Sequence, residues 1–250
     1  MIELKSPDEI QKMRAAGKIV ALVLKTMQSE AVAGVSTWRL NQIAEEIIRS
    51  AGAVPSFLGY NGFPASICAS VNDVVVHGIP SKKTVLKEGD IIGVDVGAYL
   101  NGFHADAALT IPVGKVSGEA SRLLAQTQKA LNKAIELIKP GIRLGDISAT
   151  VETYATAGGL GIVKDYGGHG IGRNLHEEPS VQNFGPSNQG PVLKAGVVIA
   201  VEPMFNLGSG DVEVLDDGWT VITKDRGLSA HFEHTVAVVE GGCLILTDGR

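Results

Sequence analysis

The chain is organised around one stretch, Gly89-Asp90-Ile91-Ile92-Gly93-Val94-Asp95-Val96-Gly97-Ala98-Tyr99-Leu100-Asn101-Gly102-Phe103-His104-Ala105-Asp106-Ala107. Its apolar and small residues predict two β-strands joined by a short turn at Tyr99-Leu100-Asn101-Gly102. We expect Asp95 inside the first strand and Asp106 at the opening of the second. A carboxylate buried among Ile, Val and Gly is costly without a positive partner. Two of them on neighbouring strands therefore predict a metal site.

The composition is that of a soluble globular protein, because 44% of the 250 residues are hydrophobic and 20% are charged. A net charge of −5 with no Lys/Arg run argues against a nucleic-acid surface. Cys68 and Cys243 are too few for a disulfide framework or a cysteine zinc cluster, and we expect both to be reduced. The N-terminus lacks the apolar core of a signal peptide, and no apolar run reaches the roughly 18–20 residues of a membrane span. The sequence predicts a cytoplasmic protein without a membrane or direct nucleic-acid partner.

Capping residues and the helical spacing of apolar residues predict four helices. The first begins at Ser6-Pro7-Asp8-Glu9, and the second runs from about Thr37 to near Gly52. The third begins at Ser117 and runs through Ile138 to a stop at Pro140-Gly141. The fourth covers about Leu144 to Ala157. Short strands near residues 65–76 and a strand-rich end complete an α+β pattern.

An internal repeat relates the two halves of the chain. Residues 34–52 match residues 141–159, each 107 positions later. The matched pairs are Gly34 with Gly141, Leu40 with Ile147, Ala44 with Val151, Glu45 with Glu152, and Gly52 with Gly159. At the same offset Asp95 matches Glu202, and after an insertion of twenty residues Asp106 matches Glu233. The repeat predicts two similar α+β halves whose strands form one curved sheet, with paired carboxylates at its centre.

The candidate site residues are four carboxylates and one histidine, namely Asp95, Asp106, His169, Glu202 and Glu233. Four converging carboxylates repel one another unless positive charge is supplied, and two divalent cations would supply it. An oxygen-rich site with one imidazole suits Mn, Fe, Co or Zn in a catalytic centre. Because paired metals activate water and polarise a carbonyl, the pattern predicts metal-assisted hydrolysis.

A structural role is the alternative for each of these residues taken singly, since a lone Asp in a strand usually caps a turn. Their recurrence at repeat-matched positions favours the metal site. Three further histidines, His104, His231 and His234, flank the candidate ligands in sequence. We expect them to support those ligands.

Several motifs together resemble the type I methionine aminopeptidases, which have the pita-bread fold. They are Asn72-Asp73-Val74-Val75-Val76-His77-Gly78-Ile79-Pro80, Gly89-Asp90 with Asp95, Asn101-Gly102-Phe103-His104-Ala105-Asp106, Gly168-His169-Gly170-Ile171-Gly172, His176-Glu177-Glu178-Pro179, Val201-Glu202-Pro203 and His231-Phe232-Glu233-His234-Thr235. The resemblance covers essentially the whole chain. It implies a single catalytic pita-bread domain over residues 1–250, with internal halves of about 1–115 and 116–250, a central curved antiparallel sheet and helices on its outer face.

The resemblance also implies roles for the candidate ligands. Asp95 is expected to chelate one metal, and Asp106 and Glu233 to bridge both. His169 and Glu202 are expected to complete the other metal. Glu202 is also the expected proton shuttle.

Further residues are expected to act on the substrate. His176 would hydrogen-bond the scissile carbonyl oxygen, and His77 would lie near the peptide nitrogen. The methionine pocket is expected to be lined by Tyr60, Phe63, Cys68, Leu175 and Trp219. Phe57, Phe63 and Leu175 stand where the family often has Cys, Tyr and Phe, and these changes keep the pocket apolar.

The implied activity is removal of the initiator methionine from nascent polypeptides with a small second residue. The ribosome is an implied partner, a monomer is the expected state, and a monovalent cation at Asn72–Val74 and Ser229 is a further implied ligand. A proline-directed aminopeptidase or prolidase is one alternative, although those relatives usually carry an additional N-terminal domain. A non-catalytic pita-bread binding module is another, although such relatives typically lose metal ligands that are all present here.

Overall fold

A computed structural model of the protein describes residues 2–250. Within that range four α-helices lie in two pairs, α1 (Pro7–Glu30) with α2 (Thr37–Ser50), and α3 (Gly118–Glu136) with α4 (Leu144–Gly158). The first helix starts where expected, because the Ser6 hydroxyl accepts from the Glu9 backbone and the Glu9 carboxylate accepts from the Ser6 backbone. The third helix ends two residues before Ile138, which is buried beyond its end. None of the helices over residues 2–250 is long and apolar enough to cross a membrane.

The first half contributes five strands, β1 (Val54–Pro55), β2 (Ile67–Val71), β3 (Val74–Val76), β4 (Ile91–Leu100) and β5 (Phe103–Pro112). β4 pairs antiparallel with β1, β2 and β5. Asn101 and Gly102 both have positive φ, 53° and 87°, which is the conformation of a two-residue hairpin turn. The expected four-residue turn is therefore only Asn-Gly. Asp106 is the fourth residue of its strand rather than the first, because the ladder begins at Leu100 opposite Phe103.

The second half contributes ten shorter strands. They are β6 (Gly161–Ile162), β7 (Gly168–Gly170), β8 (Glu177–Val181), β9 (Val198–Val201), β10 (Met204–Asn206), β11 (Val212–Val214), β12 (Val221–Thr223), β13 (Ser229–His231), β14 (His234–Val239) and β15 (Gly242–Ile245). One sheet has the order β15-β14-β9-β7-β8, a second β13-β10-β6, and a third joins β11 and β12 to β3 of the first half.

The repeat found in the sequence is visible in the backbone. An isolated bridge joins Ser36 to Val85 in the first half, and its counterpart 107 positions later joins Arg143 to Val192. Three matched glycine pairs share a left-handed backbone: Gly34 and Gly141, Gly52 and Gly159, Gly89 and Gly196. Each half is thus a helix pair followed by antiparallel strands, as the repeat predicts.

The two halves join along β5 and β14. The Glu233 amide donates to the Ala108 carbonyl at 2.8 Å, and the Thr235 hydroxyl lies 2.7 Å from the Asp106 carbonyl oxygen. One apolar core lies beneath α1 and α2 and another beneath α3 and α4, so the helices cover the outer face of the strands. The candidate ligands consequently lie where the strands of both halves meet.

Candidate active site

A cavity of about 470 Å³ opens between the halves, and every residue predicted for the site lines it. The seven candidate ligands and catalytic residues among them are His77, Asp95, Asp106, His169, His176, Glu202 and Glu233, and the five predicted pocket residues are Tyr60, Phe63, Cys68, Leu175 and Trp219. The fold thus brings together groups that are up to 173 positions apart in the chain.

The centre of the cavity holds Asp106, His169 and Glu233, and one ligand atom from each lies within 4.8 Å of the others. His169 Nε2 is 3.5 Å from Asp106 Oδ2 and 3.7 Å from Glu202 Oε1. Its Nδ1 lies 2.8 Å from the Gly170 carbonyl oxygen and must donate there. In the neutral ring this leaves the Nε2 lone pair directed at the carboxylates, as a metal ligand requires.

Asp106 and Glu233 are almost fully buried beside each other. Burial and the neighbouring charge of Glu202 raise the pKa of Asp106 to about 6, although His169 and the Thr235 hydroxyl oppose this. Burial, Asp106 and Glu202 raise the pKa of Glu233 well above its usual range. The protein alone therefore does not supply enough positive charge to keep both carboxylates ionised.

Asp95 lies on β4 directly opposite Cys68 of β2, so the carboxylates adjoin the apolar pocket. Its Oδ1 is buried without a hydrogen-bond partner in residues 2–250. Burial raises the pKa of Asp95 to about 7, and Asp106 and Glu202 add to this against the opposing effect of His231. An orphaned acceptor among three further carboxylates fits a bound divalent cation.

Glu202 directly follows β9 and has a different environment. Its Oε2 lies 3.3 Å from Nε2 of His231, a residue that is 4% exposed. Burial acts to raise the pKa of Glu202, but the His231 and His169 imidazoles more than offset it, so this pKa is lowered. Glu202 is thus held as a carboxylate at neutral pH.

His176 lines the cavity beside His169. Its Nδ1 is 2.8 Å from the Tyr60 hydroxyl, and its ring packs against His169 with centroids 4.3 Å apart. Burial, with the nearby His169, lowers the pKa of His176 to about 4, so the ring is neutral at pH 7. With the Tyr60 hydroxyl donating to Nδ1, the neutral ring carries its proton on Nε2.

His77 lines the cavity directly after β3. It has a φ of 58°, a strained conformation for a residue with a side chain and one that concentrates at functional sites. Its ring packs edge-on against Tyr166 at 5.6 Å and Trp219 at 6.2 Å. Burial lowers the pKa of His77. The backbone is therefore held so that a neutral imidazole faces the cavity.

The apolar end of the cavity is one cluster of packed side chains. Phe57, Phe63, Cys68 and Leu175 are buried in it, and Trp219 meets Phe63 edge-to-face with ring centroids 5.1 Å apart. Phe57, Phe63 and Leu175, the three residues noted as departures in the sequence, thus lie together in this cluster. Its surface suits an unbranched apolar side chain or a thioether.

Two features of the site differ from the sequence-based expectations. The His104 ring lies 2.9 Å from the Ser56 hydroxyl and the His234 ring 2.8 Å from the Thr247 hydroxyl, so neither contacts a candidate ligand. His104 lies two residues closer to the hairpin turn than Asp106, and His234 points to the other face of its strand from Glu233. Only His231, of the three flanking histidines, contacts a carboxylate of the site.

The sequence reasoning also missed wall residues of the cavity, namely Tyr166, Glu178 and Ser180. Tyr166 directly precedes the Gly167-Gly168-His169 motif, and an aromatic side chain next to a predicted ligand loop was the available signal. Glu178 and Ser180 gave none, because their position depends on how β8 pairs with β7.

Comparison with known proteins gives a consistent result. The model of metallopeptidase family M24 matches residues 11–240. The chain is 50% identical over 247 residues to methionine aminopeptidase 1 of Bacillus subtilis strain 168, covering 99% of both chains. It superimposes on the crystal structure of a methionine aminopeptidase from Thermotoga maritima with a TM-score of 0.98 and 44% identity, covering 99% of both chains.

A prolidase from Pyrococcus furiosus gives a TM-score of 0.79 at 24% identity and covers 98% of this chain but 65% of its own. At that identity the prolidase shares the fold alone. The pita-bread fold expected from the sequence is confirmed by these structures.

Proposed function

We propose that the chain, which belongs to metallopeptidase family M24, removes N-terminal methionine from peptides and proteins by hydrolysis. Its relatives include methionine aminopeptidases. The observation that carries the proposal is a cavity in which the carboxylate cluster adjoins a sulfur-containing apolar pocket. Full-length likeness to methionine aminopeptidases at 44–50% identity supports the same reaction. We further propose a small second residue in the substrate, as the family resemblance implies.

The donor set fits divalent metal ions, because ligand atoms of Asp106, His169 and Glu233 lie within 4.8 Å of one another. Asp95, with an unpaired buried oxygen, and Glu202 line the same cavity. Asp95, Asp106, His169, Glu202 and Glu233 would hold the ions, and we propose two ions chosen from Co, Mn, Fe or Zn. Such ions, when bound, polarise a substrate carbonyl and lower the pKa of a water molecule.

The protein side chains supply the rest of the proposed mechanism. Glu202 accepts the proton of the attacking water at Oε1, the oxygen that faces His169 rather than His231. His176 donates from Nε2 to the carbonyl oxygen as negative charge develops on it. His77 orients the peptide nitrogen, and the apolar cluster around Phe63 and Trp219 binds the methionine side chain. Free α-amine binding beside Asp95 would restrict cleavage to the first peptide bond.

Further proposals rest on the family resemblance. A monovalent cation at Asn72–Val74 and Ser229 is supported by the Ser229 amide, which donates to the Asn72 carbonyl at 2.9 Å and brings these segments together. A monomer, a cytoplasmic location and association with the ribosome remain predictions of the sequence.

The decisive experiment is turnover of Met-Ala-Ser, Met-Pro, Ala-Pro and Leu-Ala peptides with added Mn, Co or Fe, and with a chelator. We expect Met-Ala-Ser to be cleaved fastest and the chelator to abolish cleavage. Preference for Ala-Pro would instead favour a proline-directed peptidase, and cleavage undiminished by the chelator would contradict the metal mechanism.

A matched pair of histidine variants tests the site within the same assay. His176→Ala should lower kcat by about 10²–10³, the usual cost of removing a donor to a developing oxyanion. His104→Gln is the control, because its ring contacts Ser56 outside the cavity and its loss should leave kcat unchanged. Equal rates for both variants would remove His176 from the mechanism.

A further inference from the structure

The two oxygens of the Glu202 carboxylate lie between two imidazoles. His169 Nε2 is 3.7 Å from Oε1, and His231 Nε2 is 3.3 Å from Oε2. His169 lines the cavity, whereas His231 is not among its lining residues. We propose that His231 is a positioning residue, which fixes the orientation of Glu202 from behind and leaves Oε1 directed at the site.

This inference rests on the proposed function, because it assigns a support to the residue that would move the proton. It concerns a residue that touches neither the substrate pocket nor the opening of the cavity.

The backbone of His231 is fixed by the other half of the molecule. Its amide donates to the Thr110 hydroxyl at 2.9 Å, and its carbonyl accepts from the same hydroxyl at 2.8 Å. It also pairs with Met204 across β10 and β13. Because the main chain is held on both sides, the ring can approach Glu202 from only a narrow range of directions.

The polar atoms of the ring explain why the contact is specific. His231 Nε2 is buried and makes no hydrogen bond within residues 2–250. Glu202 Oε2 is the carboxylate oxygen within ion-pair distance of it. A buried polar atom without a partner costs free energy, so the Glu202 rotamer that brings Oε2 within 3.3 Å of Nε2 is favoured over one that turns away.

The matched carboxylate of the first half shows what happens without such a support. Asp95 lies 107 positions before Glu202, and its Oδ1 has no hydrogen-bond partner among the described residues. The repeat supplies a histidine in both halves as well, since His104 matches His231 at the offset that matches Asp106 with Glu233. The His104 ring lies 2.9 Å from the Ser56 hydroxyl, so only His231 contacts one of the matched carboxylates.

Loss of the imidazole should act on orientation rather than on substrate binding. Groups that orient a metal-binding or proton-transferring side chain typically contribute about 10–100-fold to metal affinity or activity. We expect His231→Leu to lower kcat on Met-Ala-Ser by about 10–100-fold, with KM within about 2-fold. The same variant should weaken Mn²⁺ binding, measured by isothermal titration calorimetry on metal-free protein.

His231→Gln is the conservative variant, because its side-chain amide can still donate to Oε2. It should restore most of kcat and of the Mn²⁺ affinity. His234→Gln is the matched control, since that ring contacts Thr247 instead of a site carboxylate and should leave both quantities unchanged. Should His231→Leu fail to fold by circular dichroism, His231→Asn replaces it, because Asn is too short to reach Oε2.

The outcomes separate this inference from the proposed function. Wild-type kcat and Mn²⁺ affinity in His231→Leu, or a raised KM with unchanged kcat, would overturn it. Failure of the unsubstituted protein to cleave Met-Ala-Ser would overturn the proposed function instead. In that case the Mn²⁺ titrations of the Leu and Gln variants would still decide the role of His231.

Discussion

In the first half, Asp95 and Asp106 lie inside two ten-residue strands joined by a two-residue turn, whereas in the second half Glu202 and Glu233 lie just outside β9 and β14. Ten residues separate the first pair and thirty separate the second. The thirty residues between Glu202 and Glu233 include β10 to β13, whose last residue is His231.

The two halves also differ in the electrostatics of their carboxylates. Asp95 has an oxygen without a partner and a pKa raised to about 7 by burial, whereas Glu202 contacts His231 and has a lowered pKa. The repeat therefore places two carboxylates at equivalent positions, and the contact with His231 makes them unequal. Asp95 keeps an oxygen without a partner, whereas neighbouring imidazoles hold Glu202 charged.

The largest expected effect is on turnover by Glu202→Gln and Asp95→Asn. Both remove a carboxylate that we propose binds metal, but only Glu202→Gln also removes the proposed proton acceptor. Positioned proton transfer contributes about 10²–10⁴ in rate, so the turnover rate of Glu202→Gln should be lower by at least that factor. Turnover of Met-Ala-Ser at rising Mn²⁺ is the measurement. Excess Mn²⁺ should partly restore Asp95→Asn and leave Glu202→Gln inactive, and equal recovery of the two would contradict the inequality.

A second effect concerns stability of the metal-free protein as a function of pH. The pKa of Asp95 rises from 3.8 to about 7 on folding, so the folded state binds the extra proton and its stability falls as pH rises from about 4 to 7. Asp95→Asn removes this penalty, which amounts to at most about 4.5 kcal/mol, since one pKa unit is about 1.4 kcal/mol. Relative to the unsubstituted protein, this variant should therefore gain stability from pH 5 to pH 8.

Glu202→Gln is the opposing case in the same experiment. Its folded pKa is lowered, so its charge contributes stability above its usual pKa, and that contribution is lost as pH falls. The Gln variant should be less stable than the unsubstituted protein at pH 8. Denaturant unfolding with a chelator at pH 5 and 8 measures both differences, and the same sign for both variants would show that the two carboxylates are equivalent.

The smallest effect tests the junction between the halves. The Thr235 hydroxyl lies 3.0 Å from Asp106 Oδ1, and the Thr110 hydroxyl bonds only backbone atoms of His231. Thr235→Val and Thr110→Val should each lower the unfolding free energy by about 1–3 kcal/mol, with the larger loss at Thr235 because a carboxylate is involved. Thr153→Val on the exposed face of α4 is the control and should change it by less than about 0.5 kcal/mol. A larger loss at Thr110 would reverse the ranking.

Much of the fold followed from local patterns. Asn101-Gly102 indicated the turn, and Ser6 and Ser117 indicated two helix starts. The 107-residue offset of the repeat recurs in the structure as a matched bridge in each half. The end of α3 was placed two residues too late, because Ile138 continues the apolar pattern although it is buried beyond the helix. The strands between Glu202 and Glu233 were harder to predict from the sequence, since β12 pairs with β3 almost 150 positions earlier.

The sequence by itself determined which chemical groups the protein has and which strand faces they occupy, because capping, turns and strand alternation are local properties. It also indicated the carboxylate set, because the repeat placed Asp95 and Glu202 at equivalent positions. Only the tertiary structure decided which histidine supports which ligand: His231 contacts Glu202, while His104 and His234 face hydroxyl groups elsewhere. The physical reason is that such contacts depend on how the two halves pack across β5 and β14, and this packing is set by side chains more than a hundred residues apart.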